Sequence, residues 1–154
     1  MKIKLLAMDV DGTLTDGRIY IGTDGEVMKA FDVKDGYGIV QFRKMGGIPA
    51  IITGRQSRIV EQRCRELGIT ELHQAINDKL ECLMQLAEKY GLSTDQIAYI
   101  GDDLNDLDCL QYAGLSACPS NAVQAVQSSV DFVCTAPGGR GAVREFIESV
   151  SRLE

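Results

Sequence analysis

Short apolar segments alternate with helical segments along the chain, and this alternation limits the possible folds more than any other feature. Six segments are predicted strands: 4–9, 48–53, 71–75, 97–101, 115–118 and 130–134. Six others are predicted helices: 37–45, 58–67, 79–90, 104–112, 122–128 and 142–152. Because β–α repeats give parallel strands with helices on both faces, we predict a three-layer, doubly wound, Rossmann-like α/β fold.

Residues 17–32 depart from this alternation. They contain two β-rich stretches around the turn Gly22-Thr23-Asp24-Gly25, which predicts a β-hairpin flap directly after the first strand. A lone two-stranded hairpin is marginally stable in water, so its apolar side chains need a partner surface. We expect oligomerisation through the hairpin; packing on its own domain is the alternative.

Length and charge exclude several classes of protein. The chain has 154 residues and a formal net charge of −6, which suits one domain and disfavours a nucleic-acid partner. No apolar stretch approaches the length of a membrane span. The five cysteines form no C-x-x-C pair, so we expect buried, reduced thiols and a cytoplasmic location. The single histidine, His73, excludes a histidine-based metal cluster.

The first predicted strand runs into Asp9-Val10-Asp11-Gly12-Thr13. Alternation along a strand places Asp9 and Asp11 on the same side, and Gly12 allows a sharp turn after them. Two carboxylates this close together need a cation or a proton to offset their charge. The motif therefore predicts a nucleophile, an acid/base group and a metal site at one edge of the sheet.

Three further polar groups follow at the ends of later strands or at the start of a helix. They are Thr53-Gly54-Arg55, Lys79, and Asp102-Asp103 with Asp106. The carboxyl ends of parallel strands meet at one edge of a sheet, so these groups are expected to converge there. Carboxylate and carbonyl oxygens suit Mg²⁺, and hydroxyl and ammonium groups suit a phosphoryl group.

In this order the motifs resemble those of the haloacid dehalogenase superfamily of phosphotransferases, over essentially the whole chain. The resemblance implies a phospho-aspartyl intermediate and a Mg²⁺ cofactor. Asp9 would be the nucleophile and Asp11 the general acid/base. Thr53 would hold the phosphoryl oxygens, and Lys79 would offset their charge.

The same resemblance implies a metal site formed by Asp9, the Asp11 carbonyl and Asp102. Asp103 and Asp106 would orient the waters of the metal and the Lys79 side chain. The intervals between the motifs are too short for a cap domain, so residues 1–154 are expected to form a single capless phosphatase domain. Another subunit would then close the site.

Among capless members the chain resembles the 3-deoxy-D-manno-octulosonate 8-phosphate phosphatases. The matching segments are Asp16-Gly17-Arg18, Gly25-Glu26, Lys29-Ala30-Phe31, Asp35-Gly36, Gly38-Ile39 and Gly138-Gly139-Arg140-Gly141-Ala142. This implies a homotetramer, a sugar-acid phosphate substrate and a role in lipopolysaccharide sugar biosynthesis. It also implies a flexible glycine-rich tail, in 137–154, that offers backbone N–H groups to an active site. Thr13 stands where this branch often has valine, and we expect that difference to affect the turn and not the chemistry.

Substrate choice is expected to depend on basic residues. The predicted substrate contacts are Asp11, Gly54, Arg55, Arg63, Lys34 and Lys79. A guanidinium such as Arg55 can hold a sugar carboxylate through two hydrogen bonds, which favours the eight-carbon sugar acid. The alternative is the 9-phosphate of a nine-carbon acid, 2-keto-3-deoxynononate or N-acylneuraminate, whose phosphatases resemble T-G-E here. Lys29 is a further residue that could meet substrate across a subunit boundary.

Two other classes remain as less favoured hypotheses. A receiver domain also uses aspartate, Mg²⁺, threonine and lysine, but its acceptor aspartate follows an acidic pair on an earlier strand. An inactive oligomerisation module would not need the complete motif set present here.

Overall fold

The computed structural model describes residues 2–152; Met1 and residues 153–154, the outer ends of the predicted domain, lie outside the described part. In chain order the elements are β1 (Leu5–Met8), β2 (Tyr20–Gly22), β3 (Gly25–Met28), α1 (Val33–Lys44), β4 (Ile48–Ile52), α2 (Arg58–Leu67), β5 (Glu71–His73), α3 (Lys79–Tyr90), β6 (Ile97–Ile100), α4 (Leu107–Tyr112), β7 (Leu115–Cys118), α5 (Gln124–Gln127), β8 (Phe132–Val133) and α6 (Ala142–Arg152). No helix among the described residues is both long and apolar enough to cross a membrane.

Six of the strands form one parallel sheet in the order β5-β4-β1-β6-β7-β8. Met8 at the end of β1 lies opposite Ile51 of β4 on one side and Ile100 of β6 on the other. The chain therefore leaves β1 in one direction and returns to its other side at β6, which creates a topological switch point beside β1. The predicted Rossmann-like parallel sheet is confirmed.

The two faces of the sheet bury separate apolar cores. In β1, Leu6 and Met8 pack against α1, α2 and α6, whereas Leu5 and Ala7 pack against α3, α4 and α5. All four side chains are buried, because a parallel strand covered on both faces has no solvent side. The predicted three-layer arrangement follows from this two-sided burial.

Helix α1 begins at Val33, four residues before the predicted start at 37. Asp32 caps its N-terminus by accepting a hydrogen bond from the Lys34 backbone N–H at 2.7 Å. Gly36 and Gly38 lie in the first turns of α1, and glycine is unfavourable inside a helix. A Cβ at Gly36 would lie 2.4 Å from the Arg63 guanidinium, and one at Gly38 would lie 2.9 Å from the Arg144 side chain. Close packing against α2 and α6 therefore requires these glycines inside a helix.

Three other elements are shorter than predicted. The predicted helix 104–112 divides into a 3₁₀ turn (Leu104–Asp106) and α4, since Asp103 and Asp106 cap the turn reciprocally. The predicted helix 122–128 reduces to α5. The predicted strand 130–134 reduces to β8, because the Asp131 side chain bonds Ser116 in place of a ladder contact.

The predicted hairpin is present as β2 and β3, paired antiparallel with Gly22 opposite Gly25. Most of its apolar side chains are not covered by the sheet or its helices, although Phe31 packs against the core that contains α1, α2 and α6. Ile21 is 68% exposed and Val27 62% exposed, and Ile19, Tyr20 and Met28 are also exposed. Packing on its own domain is therefore the outcome for Phe31 and is wrong for the five exposed side chains.

Glu71 at the start of edge strand β5 holds the sheet to the end of α3. Its buried carboxylate accepts hydrogen bonds from Lys89 and Tyr90 and bonds the His73 ring at 3.0 Å. Burial alone would raise the pKa of Glu71, but the bonds to Lys89, Tyr90 and His73 lower it to about 2. His73 is thus a structural residue at a strand end. All five cysteines are free and buried, as predicted.

We expect Glu71→Gln to destabilise the protein by about 2 kcal/mol at pH 7, because the carboxylate loses its ion pair while water already screens the half-exposed Lys89. A lowered pKa stabilises the fold above the unfolded value and loses this effect as the pH falls through the folded value. The difference from wild type should therefore shrink between about pH 4.5 and pH 2. Thermal unfolding across pH measures it; the exposed Glu88→Gln serves as control, and a pH-independent difference would contradict the assignment.

Candidate active site and metal centre

The loop after β1 reverses the chain tightly around one carbonyl. The backbone N–H of Asp9 still donates to Ile100 O at 3.1 Å, so Asp9 is held in strand register with β6. The Val10 carbonyl then accepts the N–H groups of Thr13, Leu14 and Thr15 at 2.9–3.1 Å. Because β1 ends at Met8 and this turn follows, the loop and not strand alternation sets the position of Asp11. Asp9 is buried and Asp11 is half-buried.

A buried lysine lies between two buried carboxylates at this edge. The Lys79 ammonium donates to Asp9 Oδ1 and to Asp106 Oδ1, each at 2.9 Å. Lys79 is the first residue of α3, and Asp78 caps that helix by accepting from Glu81 N. Helix α3 thus fixes the base of the lysine side chain, and the two carboxylates fix its tip.

Both oxygens of the Asp106 carboxylate accept hydrogen bonds from other groups. Its Oδ1 also accepts from the Tyr99 hydroxyl at 2.7 Å, and its Oδ2 accepts from the backbone N–H groups of Asp102 and Asp103 at 3.0 and 3.2 Å. A carboxylate with both oxygens occupied in this way is a poor metal ligand. Asp106 therefore bonds both Lys79 and the loop after β6. Its expected role in orienting Lys79 stays a prediction.

Asp102 faces Asp9 across the switch point. One oxygen from each of Asp9, Asp102 and Asp106 lies within 4.8 Å of the others. The Thr13 hydroxyl donates to Asp102 Oδ1 at 3.0 Å, so Thr13 orients a candidate metal ligand. The prediction that Thr13 affects only the turn is wrong for this reason.

The charges of this cluster are not balanced by the protein. The cluster holds three carboxylates, Asp9, Asp102 and Asp106, and one ammonium, that of Lys79, which pairs with Asp9 and Asp106. This leaves a formal excess of two negative charges. Burial, the Asp106 charge and, to a lesser degree, the Asp102 charge raise the pKa of Asp9 well above its usual value, although Lys79 opposes them. Burial likewise raises the pKa of Asp102. Burial alone would lower the pKa of Lys79, but Asp9 and Asp106 raise it, so the ammonium stays charged. The cluster suits a divalent cation.

Thr53, Gly54 and Arg55 follow β4, the neighbour of β1 on the side opposite Asp102. Thr53 is buried, with its N–H donating to His73 O at 2.9 Å, whereas Gly54 and Arg55 are exposed. The register of β1 and β4 therefore brings Thr53 to the same edge as Asp9, with Arg55 further out at the surface.

Lys29, which follows β3 of the hairpin, reaches the edge of the sheet at which Asp9 and Asp11 lie. Its ammonium lies 2.6 Å from Asp11 Oδ1 and 2.9 Å from Glu26 Oε1, and its side chain is only 2% exposed. Ser57, the N-cap of α2, donates to Glu26 Oε2 at 2.5 Å. Sequence reasoning considered Lys29 as a contact to substrate across a subunit boundary; in the structure it bonds the Asp11 of its own chain.

Two predicted site residues lie away from the cluster, and a third, Asp103, contacts it only through the turn cap that it shares with Asp106. Arg63 bonds Glu66 at 3.3 Å and stacks 5.5 Å from the centre of the Phe31 ring. Lys34 is 66% exposed at its side chain and pairs with Asp32. Asp103 is exposed and caps its own turn by accepting from Leu104 N. Arg63 and Lys34 have no described contact with the cluster, and Asp103 has none with Lys79. The expected roles of Arg63 and Lys34 at substrate and of Asp103 at Lys79 therefore stay predictions.

The glycine-rich tail packs behind the catalytic loop and is not free. Gly139 N donates to Thr13 O at 3.0 Å, and a Cβ at Gly138 would lie 1.9 Å from Gly12 O. Gly141 N donates to the buried Asp35 carboxylate at 3.3 Å. The predicted flexible strap with free N–H donors is wrong for Gly138–Gly141, because these N–H groups are already bonded within the chain.

Tyr99, Thr13 and Glu26 are site residues that the sequence did not assign, and Lys29 was expected only as a substrate contact across a subunit boundary. Only Tyr99 carried a usable signal, since a tyrosine inside a fully buried strand needs a partner for its hydroxyl. The others depend on loop and hairpin geometry that strand and helix patterns do not specify.

A parallel sheet with a carboxylate cluster at its switch point is consistent with a hydrolase that transfers phosphoryl groups. A match to the haloacid dehalogenase-like hydrolase family covers residues 68–147, and the chain belongs to this family.

Named relatives narrow the comparison. The 3-deoxy-D-manno-octulosonate 8-phosphate phosphatase of Escherichia coli K12 is 46% identical over 143 residues, which are 93% of this chain and 76% of that protein. The phosphatase of the same name from Yersinia pestis is 43% identical over 96% of this chain and 79% of that protein.

Solved structures agree with this comparison. One is the 3-deoxy-D-manno-octulosonate 8-phosphate phosphatase of Moraxella catarrhalis in complex with a magnesium ion, a phosphate ion and a KDO molecule. It matches with a TM-score of 0.96 and 43% identity, over 99% of this chain and 88% of that one. The cobalt-bound phosphatase of Haemophilus influenzae matches with a TM-score of 0.95 and 35% identity, over 98% and 88%.

We expect Gly12→Ala to abolish cation binding, because a Cβ there would lie 2.0 Å from Asp102 Oδ2. Gly46→Ala is the matched control: its φ of 90° is close to the 93° of Gly12, and a Cβ there meets no atom within 4 Å. Both variants should lose about 1–2 kcal/mol from the left-handed backbone. Mg²⁺ should raise the melting temperature of the wild type and of Gly46→Ala only. An equal Mg²⁺ response in Gly12→Ala would contradict the proposed cation position.

Proposed function

We propose that this chain is a Mg²⁺-dependent phosphatase that hydrolyses 3-deoxy-D-manno-octulosonate 8-phosphate to the free sugar acid and phosphate. Residues 1–154 act as a single capless phosphatase domain. The single observation that carries the proposal is the buried cluster of Asp9, Lys79, Asp102 and Asp106 at the switch point, with its excess of two negative charges. The names of the relatives supply the substrate.

Asp9 is the nucleophile in this proposal. A carboxylate oxygen attacks the phosphorus, the bond from phosphorus to the sugar oxygen breaks, and a phospho-aspartyl intermediate forms. Asp9 Oδ1 is held by Lys79 at 2.9 Å, which leaves Oδ2 for the attack and fixes the plane of the carboxylate. Water then cleaves the acyl phosphate and restores Asp9.

Asp11 supplies and removes the protons. It gives a proton to the departing sugar oxygen, which would otherwise leave as an alkoxide, and it takes a proton from the attacking water in the second step. The loop around the Val10 carbonyl carries Asp11 past the end of β1, toward the side from which substrate approaches.

Positive groups of the chain offset the charge of the transferring phosphoryl group. Lys79 brings an ammonium that Asp106 holds in place, and Asp106 is itself held by the Tyr99 hydroxyl. Thr53 brings a hydroxyl, a neutral hydrogen-bond donor, after the end of β4. The carboxylates of Asp9 and Asp102 and the Asp11 carbonyl would hold Mg²⁺, since their oxygen donors fit that ion and the cluster lacks a second cation of its own. When bound, Mg²⁺ supplies charge neutralisation at the phosphoryl oxygens.

Arg55 supports the eight-carbon acid as substrate. It is exposed just beyond Thr53, at the mouth of the site, where a guanidinium can pair with a carboxylate of the bound sugar. Gly54 leaves the space beside it open, since a Cβ there would meet only Ile76 O at 3.8 Å. Arg63 and Lys34 are placed in contacts elsewhere and contribute less to this proposal.

The proposal includes a homotetramer in the cytoplasm. The exposed apolar side chains of the hairpin need a covering surface. Between β1 and β4 the described chain has only the hairpin and α1, so no cap domain covers the site there, and another subunit would have to close it. Free, buried thiols at all five cysteines suit a reducing compartment.

The function is tested by phosphate release from a panel of sugar-acid phosphates in Mg²⁺, with and without a chelator. We expect the highest kcat/KM for the eight-carbon 8-phosphate and loss of turnover in chelator, restored by added Mg²⁺. A higher kcat/KM for a nine-carbon 9-phosphate would replace the substrate. Stable phosphorylation without turnover would instead indicate a receiver-type acceptor.

Asp9→Asn provides the control for the nucleophile. The amide oxygen can still accept from Lys79, so we expect a folded protein whose turnover falls by at least about 10³-fold. Hydrolysis at the wild-type rate by this variant would refute the role of Asp9.

We expect the double variant Ile21→Asp/Val27→Asp to dissociate the tetramer, because it places two charges on the exposed apolar face of the hairpin. Light scattering after gel filtration should give the mass of four chains for wild type and of fewer for the variant. Met84→Asp, at a side chain that is 48% exposed on α3, is the control. An unchanged mass in the hairpin variant would show that the hairpin is not the subunit contact.

A further inference from the structure

A buried ammonium from the hairpin holds the proposed acid/base residue. Lys29 Nζ donates to Asp11 Oδ1 at 2.6 Å, and no other described residue hydrogen-bonds the Asp11 carboxylate. The bond takes one oxygen and leaves the other for substrate. The orientation of the Asp11 side chain therefore depends on Lys29 alone among the described residues.

The burial of Lys29 is unusual for its place in the chain. Its neighbours Met28 and Ala30 are exposed, yet the Lys29 side chain is only 2% exposed. A lysine is seldom buried unless its charge is paired, and Lys29 is paired twice, with Asp11 and with Glu26. The contact is thus a built part of the site and not a chance meeting of surface charges.

The second pairing continues to the body of the protein. Glu26 accepts from the Ser57 hydroxyl at 2.5 Å, and Ser57 N donates to Gln74 Oε1 at 2.8 Å. Ser57 begins α2, and Gln74 follows β5. Lys29 is therefore the last link in a series of hydrogen bonds that runs from Gln74 through Ser57 and Glu26 to Asp11.

We propose that Lys29, held by Glu26 and Ser57, is a positioning residue for the acid/base step: it fixes the Asp11 carboxyl so that its free oxygen meets the leaving sugar oxygen. The proposal rests on the proposed function of Asp11. It gives the hairpin a role in the chemistry of its own chain, separate from subunit contact.

A positioning role of this kind predicts a dependence on the leaving group. A sugar alkoxide needs a proton to depart, whereas p-nitrophenolate leaves without one. Removing Lys29 should therefore slow the first step for the sugar phosphate and spare it for p-nitrophenyl phosphate. A lysine that only stabilised the fold, or only bound phosphate, would affect both substrates alike.

The test compares wild type with Lys29→Met, Lys29→Arg and the exposed Lys44→Met, by rapid quench of the first turnover in Mg²⁺. The first turnover is used because hydrolysis of the phospho-enzyme is common to both substrates. For Lys29→Met we expect release of the sugar to slow by about tenfold or more. KM and the release of p-nitrophenolate should each change by less than about threefold. Lys29→Arg should recover most of the rate, and Lys44→Met should match wild type.

The other outcomes overturn the proposal or pass the decision to a second variant or ester. Equal slowing of both substrates indicates a structural role, and a raised KM with unchanged first-turnover rate indicates a substrate contact. If Lys29→Met does not fold by circular dichroism, Glu26→Gln decides: selective slowing of the sugar phosphate supports the proposal, and equal or no slowing overturns it. If wild type hydrolyses a different alkyl phosphate from the panel, the substrate proposal fails and the comparison is made with that ester. Inactivity of wild type towards every phosphate overturns both.

Discussion

The ion pair of Lys79 with Asp9 and Asp106 is the interaction on which the rest of the site depends. Removing an ammonium from water is costly, and two carboxylates at 2.9 Å offset that cost. Asp106 can serve as the permanent partner because Tyr99 and two backbone N–H groups already satisfy its oxygens. Asp9 is the exchangeable partner, and its other oxygen remains available for chemistry.

The sheet makes this arrangement possible without long loops. Parallel pairing places the carboxyl ends of β1, β4 and β6 side by side, so residues separated by up to 93 positions in the chain, Asp9 and Asp102, meet within a few ångströms. The two buried cores below hold the strands in register, and a shift of one residue would turn Asp9 away from Asp102. The rigid register of the sheet therefore fixes the distances between the side chains of the cluster.

Sequence patterns could predict the sheet, the hairpin and the residues of the cluster, because strand periodicity and carboxylate spacing are local. They could not predict the early start of α1, where Gly36 and Gly38 serve contacts with α2 and α6 that only the tertiary structure reveals. They also missed the bond from Thr13 to Asp102 and misjudged the tail. Both depend on where the loop after β1 turns, and that turn is set by backbone bonds to Val10 and not by side-chain pattern.

The packing of Gly138 and Gly139 against residues 12–16 has a consequence for biosynthesis. Asp9 is synthesised well before Gly138, so the loop that carries it gains its backing only after residues 138 and 139 have been made. A nascent chain that already contains every motif side chain would still lack the support of its catalytic loop. A chain that ended just before Gly138 would lack this backing of the loop and would also lack α6, whose apolar side chains complete one of the two cores.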